Sequence, residues 1–473
     1  MDLVGHREVE RDAGPDVAIE RIEPGVALVR RKAGWPPLWY VDELDGHALP
    51  AELAHELAHV VVVAGRPTKR TAHQESLEGH QSPCAGGAPR VDDIAWQYHR
   101  ERPGGLKVQV PYAFLDRQFE DPEPYLDEMR EIIARGNFTL GAPVEQFERQ
   151  FAAYCGVPYA VGVASGTDAL MLALQAVGVG HGDKVITVSA TFIATVGAIA
   201  SIGARPVFVD VDDGIVMDPD LVEAAITPRT RAILPVHWAG NMADMPRIQE
   251  IAQRHGVPIV EDACHAIGAR LNGESAGTIG DVACFSFHPV KHINAWGDGG
   301  ILVTHSDEIV SGVRIARNYG LVDRDEAETF ARNSRLHTLQ IPVLRRQLKK
   351  FEEVVARRNE IARQYDAAFA ALEGRVRIPR RRAEVRHSFV IYVIMTDQRD
   401  AMLSHLRARG VDARIHYPIP MHLTRAGRKL GHQEGDFPVS EAYARETITL
   451  PAHQYLTDEQ VAHTVESVSS FFD

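Results

Sequence analysis

From Tyr159 onward the chain alternates short, almost wholly apolar runs with longer segments in which apolar residues recur every three or four positions. YAVGV is followed by DALMLALQAVG, KVITV by FIATVGAIASIG, PVFVD by DLVEAAI, and AILPVH by MPRIQEIAQRHG; PIVED, CFSF and GILVT come after them. Runs that are apolar on both faces, separated by helix-period segments, predict an α/β fold in which helices cover a mostly parallel sheet on both sides. Thr167 before Asp168, and Asp218-Pro219 before Leu221, carry the capping chemistry of helix starts. Ligands of such a sheet bind beyond the carboxyl ends of its strands. Ser165-Gly166-Thr167, Thr191-Phe192, His237, Asp262 and Lys291 all fall at or near those ends.

Further on, Gln347 to Leu372 spaces Leu348, Phe351, Val355, Ile361, Tyr365 and Phe369 for one long amphipathic helix that bridges two domains. A strand (SFVIYVIM), a helix (RDAMLSHLRARG), a strand (ARIHY) and a last helix opened by a Thr457-to-Gln460 capping box make a smaller α/β domain. The expected division is a large domain at 107–346 and the bridging helix with the small domain at 347–473. Residues 1–106 have few apolar runs and read as a partly ordered extension. His55-Glu56-Leu57-Ala58-His59 within it is a literal HExxH, the spacing of a zinc protease helix. No third ligand accompanies it, and an amphipathic helix with a solvated His/Glu face is the preferred reading, with no metal.

With 473 residues and 45% apolar composition the chain can bury a large core. A net charge of −13 argues against nucleic acid or an anionic membrane as partner, and no apolar run is long enough to cross a bilayer. The four cysteines form no CxxC pair and suit a reducing, cytoplasmic setting.

Candidate chemistry centres on SFHPVKHINAWGDGG, where Lys291 stands among Phe285, Phe287, Val290 and Trp296. A hydrated ammonium set among apolar neighbours is either a snorkelling lysine or a desolvated nucleophile that forms Schiff bases. Asp262, after the apolar run PIVE, is either a helix cap or a carboxylate that would keep a pyridine nitrogen protonated. Ser165-Gly166-Thr167 opens a helix and could seat a phosphate, although turns use the same residues. Phe192 could stack on an aromatic ring or simply fill the core.

Taken together and in order, TLGAPVEQFERQFAAYCGV, ASGTDALMLAL, TFIATVGAI, ARPVFVDVD, TRAILPVHWAG, VEDACHAIGA, FSFHPVKHINAWGDGG, NSRLHTLQ and HYPIPMH resemble the DegT/DnrJ/EryC1/StrS sugar aminotransferases, from about Val110 to the C-terminus. The resemblance implies a fold-type I pyridoxal-phosphate enzyme. It assigns Lys291 to the Schiff base, Asp262 to the pyridine nitrogen and His265 to the phenolic oxygen of the cofactor. It puts Phe192 on the ring and Gly166, Thr167 and Ser286 on the phosphate. Asn333 would reach the phosphate of a neighbouring subunit, which implies a homodimer with shared active sites. Trp238, His416, Tyr417 and His422 would lie near the substrate. The reaction implied moves an amino group from glutamate or glutamine to a keto sugar, nucleotide-linked by the family's commonest pattern, with a ketocyclitol of inosose type as the alternative acceptor. A dehydratase of the same family would carry histidine in place of Lys291, and a cofactor-binding regulator is the remaining alternative.

Overall fold

The computed structural model describes residues 108–473 except Glu373, and before them the backbone of the strands Val9–Glu10, Val17–Glu23, Val26–Arg31, Leu38–Val41 and Val63–Ala64. Those five strands lie side by side in chain order, antiparallel except for the parallel last pair. The HELAH stretch lies outside the described residues, as does the rest of the 1–106 segment apart from those strands. The chain divides into two units, Met1–Ala95 and Trp96–Asp473.

Within the second unit, the three-stranded array Arg205–Val209, Lys184–Val188, Thr230–Ile233 continues through parallel bridges Ile233 to Ile259 and Val236 to Asp262. These join it to the four-stranded array Val260–Asp262, Val282–Ser286, Gly300–Thr304, Tyr159–Val163. The result is one mixed sheet in which only Gly300–Thr304 runs against its neighbours. Its central strands are buried along their whole length, which is why they read as continuous apolar runs. One apolar cluster, including Leu170, Leu172, Ile199 and Leu302, fills one face; a larger one, including Phe147, Phe151, Phe285 and Ile248, fills the other.

Asp218 caps its helix as expected, accepting from the Asp220 amide at 3.0 Å, and the Thr457–Gln460 capping box is complete. The cap of the helix Gly166–Ala176 is Ser165, however, whose hydroxyl accepts from the Asp168 amide at 3.1 Å. Thr167 is already inside the helix and its side chain is left for other work. The long bridging helix is two helices, Ile341–Lys349 and Phe351–Phe369, meeting at Lys350. The expected boundary at 346/347 falls inside the first of them. ARIHY makes no strand; Arg414 alone bridges to Thr449. The C-terminal lobe packs Ile361, Tyr365, Phe369, Tyr392 and Val461 into a third cluster, which also takes in Val110.

Candidate active site

The strand Val282–Ser286 delivers its chain into a loop without helix or strand that runs to Gly299. Lys291 sits in that loop, its amide donating to the His288 carbonyl at 2.8 Å and its own carbonyl accepting from Asn294 Nδ2 at 3.1 Å. The loop is closed at its base by the Phe287 amide on Gly299 O and the Ala295 amide on Phe287 O, both 2.8 Å. Burial pushes the Lys291 ammonium down to about 8 against the opposing pull of Cys264 and Asp262. An amine so depressed is partly free base at neutral pH, as a nucleophile requires.

Asp262 ends the next strand and is buried. Its Oδ2 accepts from Thr195 Oγ1 at 2.7 Å, its Oδ1 from the Cys264 amide at 3.2 Å, and Thr195 in turn meets Thr191 Oγ1 at 2.8 Å. A carboxylate bonded on both oxygens has one orientation. Thr195 carries no signal in the sequence beyond its place on the helix Ile193–Ser201, one turn after Phe192. Glu261, beside Asp262, points to the opposite face of the strand. It accepts from the amides of Gly277 at 2.8 Å, Ile279 at 2.9 Å and Gly280 at 2.6 Å, and pairs with His237 Nε2 at 2.7 Å. Burial pushes its carboxyl up, but the His237 bond and these amides bring it below the ordinary value. His237, a strand-end residue, therefore anchors the strand and does not join Lys291.

Gly166 marks a close approach within the site. A Cβ there would stand 2.7 Å from Ser286 Cβ and 3.1 Å from Cys264 Sγ, so the helix start is pressed against the strand end as only glycine allows. The same approach rests on Gly300, where a Cβ would meet Ser165 O at 2.3 Å. The helix N-terminus, the Ser286 hydroxyl and Thr167 thus form a cradle of donors suited to a phosphate.

His265 lies against Trp238 with ring centroids 4.8 Å apart, and its Nδ1 is buried with no hydrogen-bond partner. Burial and then the Lys291 charge push its ring well below the usual range, so it is neutral at pH 7. A neutral imidazole with an unmet nitrogen beside a desolvated lysine fits a ligand that brings a polar atom. Trp238 packs its other edge on Tyr417 at 5.4 Å, Phe192 meets Tyr417 at 5.4 Å, and Tyr417 follows His416. Burial drives His416 to about 3, with Arg414 and Lys291 adding to the fall. Trp238 Nε1 donates to Tyr443 OH at 2.8 Å, and Tyr443 OH to His416 O at 3.0 Å, which holds the aromatic wall together. Tyr443, from the helix Pro438–Glu446, has no sequence motif to announce it.

His422 is held on both sides of its ring. Fully buried, it places Nδ1 2.6 Å from Ser189 Oγ and Nε2 3.0 Å from Glu441 Oε1, so both ring nitrogens are spent on joining the strand end to the helix Pro438–Glu446. Asn333 is exposed and bridges through its backbone to Asn318; within one chain it is not among the residues gathered around Lys291.

Residues 121–469 match the DegT/DnrJ/EryC1/StrS aminotransferase family. The chain belongs to that family. It is 41% identical over 362 residues, 76% of this chain and 95% of the relative, to dTDP-3-amino-3,4,6-trideoxy-alpha-D-glucose transaminase of Streptomyces venezuelae. Among solved structures it is similar to S. venezuelae DesV in complex with a ketimine intermediate, with a TM-score of 0.75, 40% identity, and 77% and 98% of the two chains covered. It is also similar to NtdA of Bacillus subtilis with bound cofactor PMP, with a TM-score of 0.72, 28% identity, and 78% and 86% covered. The chain is accordingly a pyridoxal-phosphate-dependent transaminase of fold-type I. The lone imidazole nitrogen of His265, the glycine-only gap at Gly166 and the depressed amine of Lys291 are the features of this chain that fit the cofactor.

Proposed function

We propose that this transaminase moves an amino group from glutamate or glutamine to a keto sugar carried on a nucleotide. The observation that supports it most is Lys291, a lysine brought to about 8 by burial and set beside a doubly bonded Asp262. When bound, pyridoxal phosphate supplies an aldehyde to carry nitrogen and a ring that accepts electrons from a cleaved C–H bond. Gly166, Thr167 and Ser286 would hold the phosphate end, Asp262 would face the ring nitrogen, His265 would offer Nδ1 to the ring's oxygen, and Phe192 would lie along the ring. Lys291 Nζ would take the proton from the donor's α-carbon and deliver it to the cofactor carbon that carries the nitrogen, and on the acceptor half would carry a proton the opposite way, from that carbon to the acceptor's former carbonyl carbon. The spent donor leaves before the acceptor enters, which gives ping-pong kinetics.

Trp238, Tyr417 and His416 form the wall against which the acceptor lies. The relative that acts on a dTDP-linked sugar supports the nucleotide-linked class. Asn333 stands beside exposed Tyr319 and Val322 and fully exposed Phe330, an apolar surface that suits a second copy and a homodimer with shared sites. Free Cys155, Cys264 and Cys284 suit the cytoplasm.

A panel of dTDP-, UDP- and GDP-linked keto sugars and an inosose, each with glutamate or glutamine, tests this by mass spectrometry of the aminated product. Amination of the inosose alone would overturn the sugar-nucleotide reading. Borohydride should trap the cofactor on Lys291 and not in Lys291→Ala.

A further inference from the structure

His292 follows the catalytic lysine, yet its side chain turns away from the cluster around Asp262. It is 3% exposed, packs edge-on against Phe351, and places Nε2 2.8 Å from the Ser388 carbonyl. A carbonyl can only accept, so Nε2 carries the hydrogen and donates.

Ser388 belongs to a strap, His387–Val390, each of whose carbonyls is taken by a side chain. Asn359 Nδ2 donates to His387 O at 2.9 Å, His292 to Ser388 O, and Arg358 Nη1 to Phe389 O at 2.9 Å and Val390 O at 3.1 Å. The strap bends at Phe389, φ +53°, a left-handed conformation that persists only where the surroundings over-determine it. On its other side the Ser388 amide donates to Gly240 O at 3.1 Å, and a Cβ on Gly240 would meet Ser388 Oγ at 2.5 Å. Gly240 closes the short helical turn Trp238–Gly240, in which Ala239 is also left-handed at φ +58°. A single rigid strap therefore touches the lysine loop through His292 and the aromatic wall through Gly240. The loop lacks helix and strand from Phe287 to Gly299; beyond its own backbone bonds, Gln347 holds Asn294 (2.7 and 3.1 Å) and Gln340 holds Trp296 (both bonds 2.8 Å), while His292 is its tie to the strap on the side of the aromatic wall.

We propose that His292 is a positioning residue: by holding the Ser388 carbonyl it fixes Lys291 at one height relative to the Trp238 wall. Nucleophile and acceptor wall then keep a common spacing through a strap that neither of them belongs to. The proposal rests on Lys291 being the reacting amine.

His292→Phe keeps a ring against Phe351 and removes the donor; His292→Gln restores an N–H near the position of Nε2. In the apoprotein, the pH dependence of Lys291 acetylation by trace acetic anhydride reports the lysine's own environment. In the holoenzyme, kcat and KM are measured for donor and acceptor. In His292→Phe the acetylation midpoint should rise from about 8 toward that of surface lysines. Its kcat should fall by about tenfold or more, since misplacement of a reacting group by an ångström costs up to about a hundredfold. KM for the donor should change far less, and His292→Gln should recover most of both. His292→Asn, too short to reach Ser388, should behave as the Phe variant and serves if that variant does not fold. An unchanged midpoint and kcat in the Phe or Asn variant, or no recovery in Gln, overturns the proposal. Failure of borohydride to trap cofactor on Lys291 in the unaltered chain would instead sink the functional reading, and the proposal with it.

Discussion

Replacing Gly166 by alanine probes the cradle where the helix start meets the strand end. The new Cβ would stand 2.7 Å from Ser286 Cβ, 3.1 Å from Cys264 Sγ and 3.2 Å from Ser286 Cα. Non-bonded carbons pack at about 3.5–4.0 Å, so helix start and strand end must part by roughly 1 Å. Alanine recovers up to about 1 kcal/mol of helix propensity, less in a first turn, while overpacking costs about 1–3 kcal/mol. The global loss is therefore small, about 0–2 kcal/mol. A phosphate held on both sides of the gap loses more, because a shift of that size stretches a bond of about 2.9 Å past useful reach. One hydrogen bond to a charged group is worth about 1.5–3 kcal/mol, so the dissociation constant for pyridoxal phosphate should rise about 10- to 100-fold. Absorbance titration of the apoprotein, run beside a thermal melt, makes the measurement. Affinity equal to that of the unaltered chain, or a loss explained wholly by unfolding, would refute a phosphate seat between Gly166 and Ser286.

Lys291→Met should stabilise the apoprotein at pH 7. The lysine's folded value of about 8 lies below its ordinary value of 10.5, so the unfolded chain binds the extra proton between the two and the penalty on the folded state is full below 8. The gain should shrink as pH rises from about 8 toward 10.5; urea midpoints of both proteins across that range check it, and a gain independent of pH would contradict a buried ammonium. Thr195→Val strips Asp262 of one bond and leaves a buried oxygen unmet at a cost of about 1–3 kcal/mol. Its kcat should drop with Thr195→Ser rescuing it, as stopped-flow half-reactions would show. Arg317→Leu abandons buried Glu148, which also accepts from the Gly162 amide at 2.8 Å, and should cost about 3–5 kcal/mol in denaturant melts.

The strand and helix alternation was legible because both faces of the sheet are covered, and the order of strand-end residues carried most of the site. What escaped reading depended on partners distant in sequence. Ser165 and Thr167 are both good caps by composition, and only the entry angle of the helix against Ser286 decides between them. The apolar periodicity of Gln347 to Leu372 runs straight through Lys350, where one helix ends and the next begins, although Leu344 before the break and Phe351 and Val355 after it pack on the same cluster. His422 carries the same residue type and neighbourhood in sequence as His416, yet Ser189 and Glu441 claim both of its nitrogens. Thr195, Glu261 and Tyr443 look like ordinary strand and helix residues until the fold brings Asp262, His237 and Trp238 to them.

The strand Tyr159–Val163 sits at the sheet's edge, and its neighbour there is Gly300–Thr304. On the ribosome this first strand emerges long before that partner exists. At about 5–20 residues per second, the roughly 140 intervening residues take on the order of ten seconds to appear. Throughout that interval a fully apolar strand has no ladder to join, and the helix that follows it has no Gly300 to rest on. Nascent chains of this protein thus carry an exposed pairing edge until the reversed strand is made, so the phosphate end of the site is completed late in synthesis, and a chain released early presents a surface prone to aggregate in place of a cofactor seat.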